Sequence, residues 1–565
     1  MDQARTKTGA EIIVDCLKAE GVEFVFGVIG SSILDLLDVI ERTPEIRYVR
    51  TQHEQAAVYM ADGYARATGR PGVCTATCGP GVTNMVTGIA GAYHESSPVV
   101  AILGDIHTAH YGKGSSNFHE IDQENLFRPI TKLSKRVEHV GRLAEFTRMA
   151  FRTALSGRRG PVYLGIPRNI QKETTEDTTW PIGRYRSQAR CWGDPGAVQH
   201  AYELLSAARA PAILVGGGIR WTDGEAAILR LAEQVGLPVA VSHKGLVTED
   251  HPWSVGVVGM VANPVAAEVL PQADVILALG CTFNQVTTGS FGNRFIARGA
   301  KIIQVDVDAT EFGKNYPIEL GIVGDLQAVA EDLLAAFDAG NGRHGAAEGR
   351  LQHILEAKRG WSQRLLDEGA LSDVVPIQRA RLMHDINQVV GKDAIISVES
   401  GSTHGWAYYG LNAYTPFLEP GDLSAMGTGW CMAMGAKLAF PQRPAVSVTG
   451  DGAFMMTCNE LATAVDQKIP VVVVVPHNGV YGNVRRKQVE HFAGRFSGSE
   501  LYIPDLARVA ESFGAHGERV ERPGDIIPAL ERALACGKPA VVDVVIDASY
   551  ETLEPPVKLR VKDRY

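Results

Sequence analysis

Two short runs hold the residue types best suited to chemistry. Gly450-Asp451-Gly452 follows the apolar stretch "PAVSVT", and Asn478 follows the valine run Val471 to Val475 and the pair Pro476-His477. Both apolar runs read as buried strands, and in open parallel sheets ligands collect at the carboxyl ends of the strands. Asp451 and Asn478 lie 27 positions apart, room for one helix, "TCNELATAVDQK", and a return strand. If those strands are neighbours, the two side chains converge. A carboxylate and an amide oxygen are hard ligands suited to Mg²⁺, which completes its octahedron with phosphate oxygens and water. Gly450, Gly452 and Ala453 let the backbone approach a diphosphate, whose charge favours the N-terminus of the following helix. Each piece alone is an ordinary strand exit. The pair at this spacing points to a metal–diphosphate site.

The rest of the chain must position such a site. Its 565 residues exceed one hydrophobic core and imply three or four domains. A hydrophobic content of 45% with 21% charged residues is that of a soluble globular protein. The net charge of -9 argues against nucleic acid as a partner, because phosphate-backbone binding needs a basic face. No apolar stretch approaches the roughly 18 residues of a membrane span, and the N-terminus has no apolar signal core. The eight cysteines are scattered without metal or redox spacing, as expected of reduced thiols in a cytoplasmic protein.

Strand-like runs alternate with helical patterns throughout, so the fold class is α/β, with parallel sheets covered by helices. Softer segments divide the chain into residues 1–185, 193–340 and 375–550, with a polar tail at 551–565. The first and third blocks rhyme: "SSPVVAILGD" at 96–105 and "QRPAVSVTGD" at 442–451 are both Pro-led strands ending in Gly-Asp.

The stretch from Gly450 to Gly482 resembles the thiamine-diphosphate (ThDP) signature, which opens with Gly-Asp-Gly and closes with an Asn pair. The resemblance implies metal binding by Asp451, Asn478 and the carbonyl of Val480, with His477 in place of the first Asn. "TQHEQAAVYMADGYARATG" matches the pattern of the acetolactate synthase branch and implies Glu54 as the acid on the cofactor's aminopyrimidine ring. "CGPGVTN" supplies Pro80 and the pyrimidine-contacting Asn84. "SAMGTGW" places Met426 where the branch props the cofactor into its bent form, and "ESGSTHGWA" makes Gly401, Ser402 and Thr403 diphosphate contacts. The implied architecture is three doubly wound parallel-sheet domains: pyrimidine-binding, middle and diphosphate-binding. The implied activity is a ThDP- and Mg²⁺-dependent lyase or carboligase on a small 2-oxo acid or related carbonyl compound. A homodimer at minimum, and commonly a homotetramer, goes with that family.

Specificity positions depart from the acetolactate synthases. Where those carry a Trp after the Asn motif, this chain reads "YGNVRRKQVEHF", with Lys487 near that place; Tyr481 and Arg485 fall on the implied substrate side. Their Phe-Gln-Glu segment reads Phe118-His119-Glu120. His119 and His477 are candidate proton carriers, and Ser31 and Ser32 would make the substrate wall polar. "VGMVANPVA" and "GCTFNQVTTG" lack the branch's flavin segments, so FAD, an adenine nucleotide and an empty middle domain stay open. The closing "PPVKLRVKDRY" and the run Arg485-Arg486-Lys487 look like sulfoacetaldehyde acetyltransferase, which passes an acetyl group to phosphate. A 2-hydroxyacyl-CoA lyase is a third reading, with an acyl-CoA as substrate. A silent ThDP-binding homologue is a fourth, opposed by intact Glu54, Asp451 and Asn478.

Overall fold

A computed structural model describes residues 6–187, 189–340 and 347–548, so the tail at 551–565 lies outside the described residues. Among the described residues are three six-stranded parallel sheets and a short antiparallel ribbon, Thr6–Thr8 against Thr174–Glu176.

The first sheet contains β1 (Phe24–Gly27), β2 (Arg47–Arg50), β3 (Gly72–Thr75), β4 (Val99–Asp105), β5 (Leu133–Arg136) and β6 (Val162–Pro167), in the order β2-β1-β3-β4-β6-β5. The middle sheet contains β7 (Pro211–Val215), β8 (Val239–Val241), β9 (Ser254–Val257), β10 (Val275–Leu279), β11 (Lys301–Asp306) and β12 (Leu320–Val323). Its order, β9-β8-β7-β10-β11-β12, is the doubly wound nucleotide-binding order, with a switch point between β7 and β10. The third sheet contains β13 (Ile395–Val398), β14 (Phe417–Leu418), β15 (Ala445–Val448), β16 (Val472–His477), β17 (His516–Val520) and β18 (Ala540–Val545), in the order β14-β13-β15-β16-β18-β17.

First and third sheets therefore share one topology, as the rhyme between the two blocks implies, although the rhyming strands themselves are not equivalent. Strand β15, which leads into Gly450-Asp451, corresponds to β3, which leads into the Gly-Pro-Gly turn. The rhyming strand β4 corresponds to β16 instead. The spelling of a strand end matched, but strand pairing decides position.

The third domain is the centre of the molecule because its sheet is apolar on both faces. Val446, Val448, Val472 and Val474 point into a core shared with the middle domain, while Ala445, Val471, Val473 and Val475 point into a core shared with the first domain. That division is the two-residue period of a pleated strand, and it explains why the valine run is uninterrupted.

Six helices matter for the site: α1 (Glu54–Thr68), α2 (Pro80–Asn84), α3 (Ser402–Gly410), α4 (Gly429–Ala439), α5 (Asp451–Thr457) and α6 (Gly482–Phe492). Helix α1 begins where the His53 ring accepts the Gln55 N–H and ends at Gly69, whose φ of 70° is left-handed. Helices α1 and α4 pack backbone to backbone. A Cβ on Gly63 would overlap Met432, and one on Gly435 would overlap Met60.

Candidate active site

Asp451 is buried, 3% exposed, and opens α5. Its Oδ2 accepts the backbone N–H groups of Asn478 at 2.8 Å and Gly479 at 2.6 Å, and Oδ1 accepts the N–H of Gly452 at 2.7 Å. Asp451 thus ties the end of β15 to the end of β16. Asn478 Oδ1 accepts the Val480 N–H at 3.2 Å, and Gly479 between them turns with φ of 66°. Asp451 Oδ1 and Asn478 Oδ1 each accept a single N–H and keep a second lone pair, so the donor set remains suited to a hard divalent cation.

These residues line a cavity of about 350 Å³ together with Gly401, Ser402, Thr403, Met426, Gly450, Gly452, Ala453, Val480 and Tyr481. Gly401 adopts φ of 95° and delivers the N-terminus of α3 to the cavity wall, a geometry a side chain would strain. A Cβ on Gly452 would lie 2.6 Å from the Tyr481 ring. The cradle is therefore backbone, helix dipole and small residues, which suits a diphosphate. Arg379, Trp406 and Val484 also line the cavity; Trp406 and Val484 lie inside the quoted motifs without being singled out, and Arg379 lies outside them.

Glu54 is the first residue of α1, 9% exposed, and accepts the Asn84 side-chain amide on Oε2 at 2.9 Å. Asn84 ends α2, which Pro80 begins after Gly79 at φ of 71°. Gln123 fixes that turn: Oε1 accepts the Gly79 N–H at 3.0 Å, and Nε2 donates to the Gly104 carbonyl and the Tyr163 hydroxyl. Gln123 carries no motif and was not expected. Glu54, Pro80 and Asn84 do not line the cavity around Asp451, whose walls all come from residues 379–546. Within one chain the two expected halves of the site are brought to different places.

Other expected residues divide. Pro476 and Asn478 face the cavity, and His477 between them turns away, with Nδ1 2.8 Å from Asp543 Oδ1. The hydrogen bond to Asp543 raises the His477 imidazole above its ordinary range, opposed by burial. Ser32 is buried, with its hydroxyl accepting the Cys78 N–H at 3.0 Å and 2.9 Å from the Thr77 hydroxyl, whereas Ser31 is exposed. His119 adopts φ of 65° and stacks on Phe118, itself 79% exposed, beside the Gly79 turn. Arg485 lies over the Phe496 ring at 4.4 Å and pairs with Glu500 at 3.3 Å.

A second cavity, about 540 Å³, opens between the first and middle domains at the β7/β10 switch point. Gly217, Gly218 and Gly280 form its floor, Arg158, Arg159 and Arg186 its basic wall, and Asp306 ends β11 inside it. Its inner end is closed by charge: Arg220 pairs with Glu95 and Glu419, and His243 and Asp422 stand beside Glu95.

Comparison with known proteins decides the family. Profiles described as thiamine pyrophosphate enzyme N-terminal TPP binding domain, central domain and C-terminal TPP binding domain match residues 7–126, 198–333 and 399–544. The chain belongs to the thiamine pyrophosphate enzymes. Thiamine pyrophosphate is the ThDP of the motif reading, and Asp451, Asn478 and the α3 N-terminus all lie in the C-terminal TPP binding domain. A probable acetolactate synthase large subunit of Methanocaldococcus jannaschii is 36% identical over 562 residues, covering 95% of this chain and 92% of that protein. An acetolactate synthase of Mycobacterium bovis is 33% identical, covering 96% and 88%. A sulfoacetaldehyde acetyltransferase of Alcaligenes xylosoxydans is 34% identical over 570 residues, covering 95% and 93%. The enzyme is thiamine pyrophosphate-dependent and of the acetolactate synthase type. No helix among the described residues is long and apolar enough to cross a membrane.

Proposed function

We propose that the chain is a Mg²⁺-dependent carboligase that takes a small 2-oxo acid as donor. The observation that carries this reading is the convergence of Asp451 and Asn478 on a backbone-lined cavity in a chain whose relatives are named acetolactate synthases. Asp451, Asn478 and the Val480 carbonyl would hold Mg²⁺, and the α3 N–H groups with Ser402 and Thr403 would hold the diphosphate. When bound, thiamine pyrophosphate supplies a carbon nucleophile and an electron sink for the bond beside a carbonyl. Met426, on the cavity wall, gives the ring system an apolar support. Glu54 holds the proton of the aminopyrimidine ring nitrogen, and Asn84 fixes which carboxylate oxygen faces it.

Because Glu54 stands apart from the cavity of its own chain, the complete site takes the pyrimidine-binding half from a second copy. A homodimer is the minimum and a homotetramer the expected assembly, which light scattering measures directly. The second cavity suits the phosphates of an adenine nucleotide, with arginines on its wall and glycines at a sheet switch point. The ion-pair network of Arg220, Glu95 and Glu419 suits a nucleotide's polar groups more than a flavin ring, so ADP fits these residues better than FAD. We place the enzyme in the cytoplasm.

One observation favours a second reading, acetyl transfer from sulfoacetaldehyde to phosphate. Helix α6 lines the cavity at Val484 and continues as Arg485-Arg486-Lys487, and one relative carries that activity in its name. Proton NMR of products separates the two. Pyruvate with ThDP and Mg²⁺ should give acetolactate, independent of phosphate. Acetyl phosphate formed from sulfoacetaldehyde and phosphate would establish the second reading instead.

A further inference from the structure

Glu460 lies nine positions beyond Asp451, at the end of the short helical turn Cys458–Glu460 that continues α5, and has no exposed surface. It does not line the diphosphate cavity. Both of its oxygens reach out of the third domain. Oε2 accepts the Gln52 N–H at 3.1 Å, and Oε1 accepts the His53 N–H at 2.9 Å. The Thr463 hydroxyl donates to Oε2 at 2.6 Å and holds the carboxylate in place. Gln52 and His53 are the two residues immediately before Glu54.

Two backbone N–H groups of one turn, both given to one buried carboxylate, fix the path of that turn. His53 passes the constraint on, because its ring Nδ1 accepts the Gln55 N–H at 3.1 Å and so sets the first turn of α1. The Glu54 side chain is held independently, by Asn84 from the first domain. The backbone leading into it, at Gln52 and His53, is held by the third domain.

We propose that Glu460 is a positioning residue that sets the aim of Glu54, linking the segment that bears Asp451 to the catalytic acid of the same chain. The proposal rests on Glu54 acting at the cofactor's aminopyrimidine ring. Burial, with a smaller contribution from the nearby Glu54 charge, raises the Glu460 carboxyl above its ordinary range against the hydrogen bonds from Thr463, Gln52 and His53. Nothing in this arrangement touches the diphosphate or Asp451, so cofactor affinity and cofactor activation should separate.

The test is Glu460→Gln in the full-length holoenzyme, which keeps shape but turns an NH₂ toward one of the two N–H donors. The readout is exchange of the bound cofactor's thiazolium proton with D₂O, followed by quenched-flow proton NMR beside Mg²⁺-dependent ThDP affinity. Exchange should slow about 10- to 100-fold, the scale of a small misplacement of a catalytic group, while affinity and donor KM stay within about threefold. Exchange at the wild-type rate would overturn the proposal, as would loss of affinity and exchange in equal measure. Glu54→Gln is run alongside: if that variant also exchanges normally, the role of Glu54 itself fails. Should Glu460→Gln not fold, Thr463→Val removes the hydroxyl that holds Oε2, leaving the Asn459 amide on Oε1 at 3.3 Å, and should slow exchange several-fold; an unchanged rate there counts against the proposal.

Discussion

Asn84 donates its amide to Glu54 across 2.9 Å, joining the last residue of α2 to the first residue of α1. The contact leaves one carboxyl oxygen of a buried acid directed by its partner and the other available to a ligand. Glu54→Gln should keep Mg²⁺-dependent ThDP binding and lose about 100- to 10,000-fold in kcat, the range of a positioned general acid–base group. Asn84→Ala should fall between that variant and wild type. Calorimetric titration beside steady-state kinetics checks both, and near-wild-type turnover of Glu54→Gln would remove it from the site.

Asp451 makes the complementary prediction. Its carboxylate both faces the cavity and holds the N–H groups of Asn478 and Gly479, so Asp451→Ala unties β15 from β16 and, on the proposed function, removes a metal donor. Apparent ThDP affinity should fall by at least about 100-fold, more than loss of an outer hydrogen-bond partner costs a metal site. Trp406 on the cavity wall provides a fluorescence signal for the titration. Excess Mg²⁺ should recover little of the loss, because the donor is absent rather than weakened.

Much of this was legible in the sequence for one reason: ligands in parallel sheets gather at strand ends, and strand ends are spelled by an apolar run meeting Gly, Asp or Asn. Asp451, Asn478 and the glycines between them needed no more. Direction was less legible. Ser32 and His477 are polar residues in the expected segments, but a strand alternates its faces, so Pro476 and Asn478 take the cavity and His477 takes Asp543. Ser32 lies in the 3-10 turn Ser31–Ile33 rather than a strand, and its hydroxyl is spent on the Cys78 N–H. Gln123 acts through backbone groups of a distant turn, a pairing no local spacing encodes. The mismatch between β4 and β15 has a similar origin, since Pro-led strands ending in Gly-Asp arise wherever a buried strand meets a turn.

The crossing of α1 and α4 makes a stability prediction. Gly63 and Gly435 allow the two backbones to touch, and a methyl at Gly435 overlaps the Met60 backbone, which cannot rotate away. Gly435→Ala should cost at least about 2 kcal/mol, at the upper end of overpacking because backbone rather than side chain must move. Urea denaturation measures it. Activity should fall too, since α1 begins at Glu54 and α4 begins three residues beyond Met426.

Asp306 makes a prediction in pH. Burial, reinforced by the Glu311 carboxylate, raises its carboxyl to about 6 from an ordinary 3.8, against a hydrogen bond from the Asp308 N–H. The folded protein therefore holds this proton more tightly than the unfolded chain. Its stability is full below the unfolded value, falls as pH rises toward about 6, and is flat above it. Asp306→Asn removes the titration while keeping an acceptor for the Asp308 N–H. The variant should be more stable than wild type at pH 8 by up to about 3 kcal/mol, with the difference vanishing near pH 4. Urea midpoints across that range read the sign directly. A ribose hydroxyl donating to the charged carboxylate would offset part of the burial cost, so saturating ADP should narrow the gap at pH 8. ADP affinity should fall about tenfold in Asp306→Asn, the size of one hydrogen bond to a charged group. If ADP leaves the gap unchanged, the second cavity does not use Asp306 to hold a nucleotide.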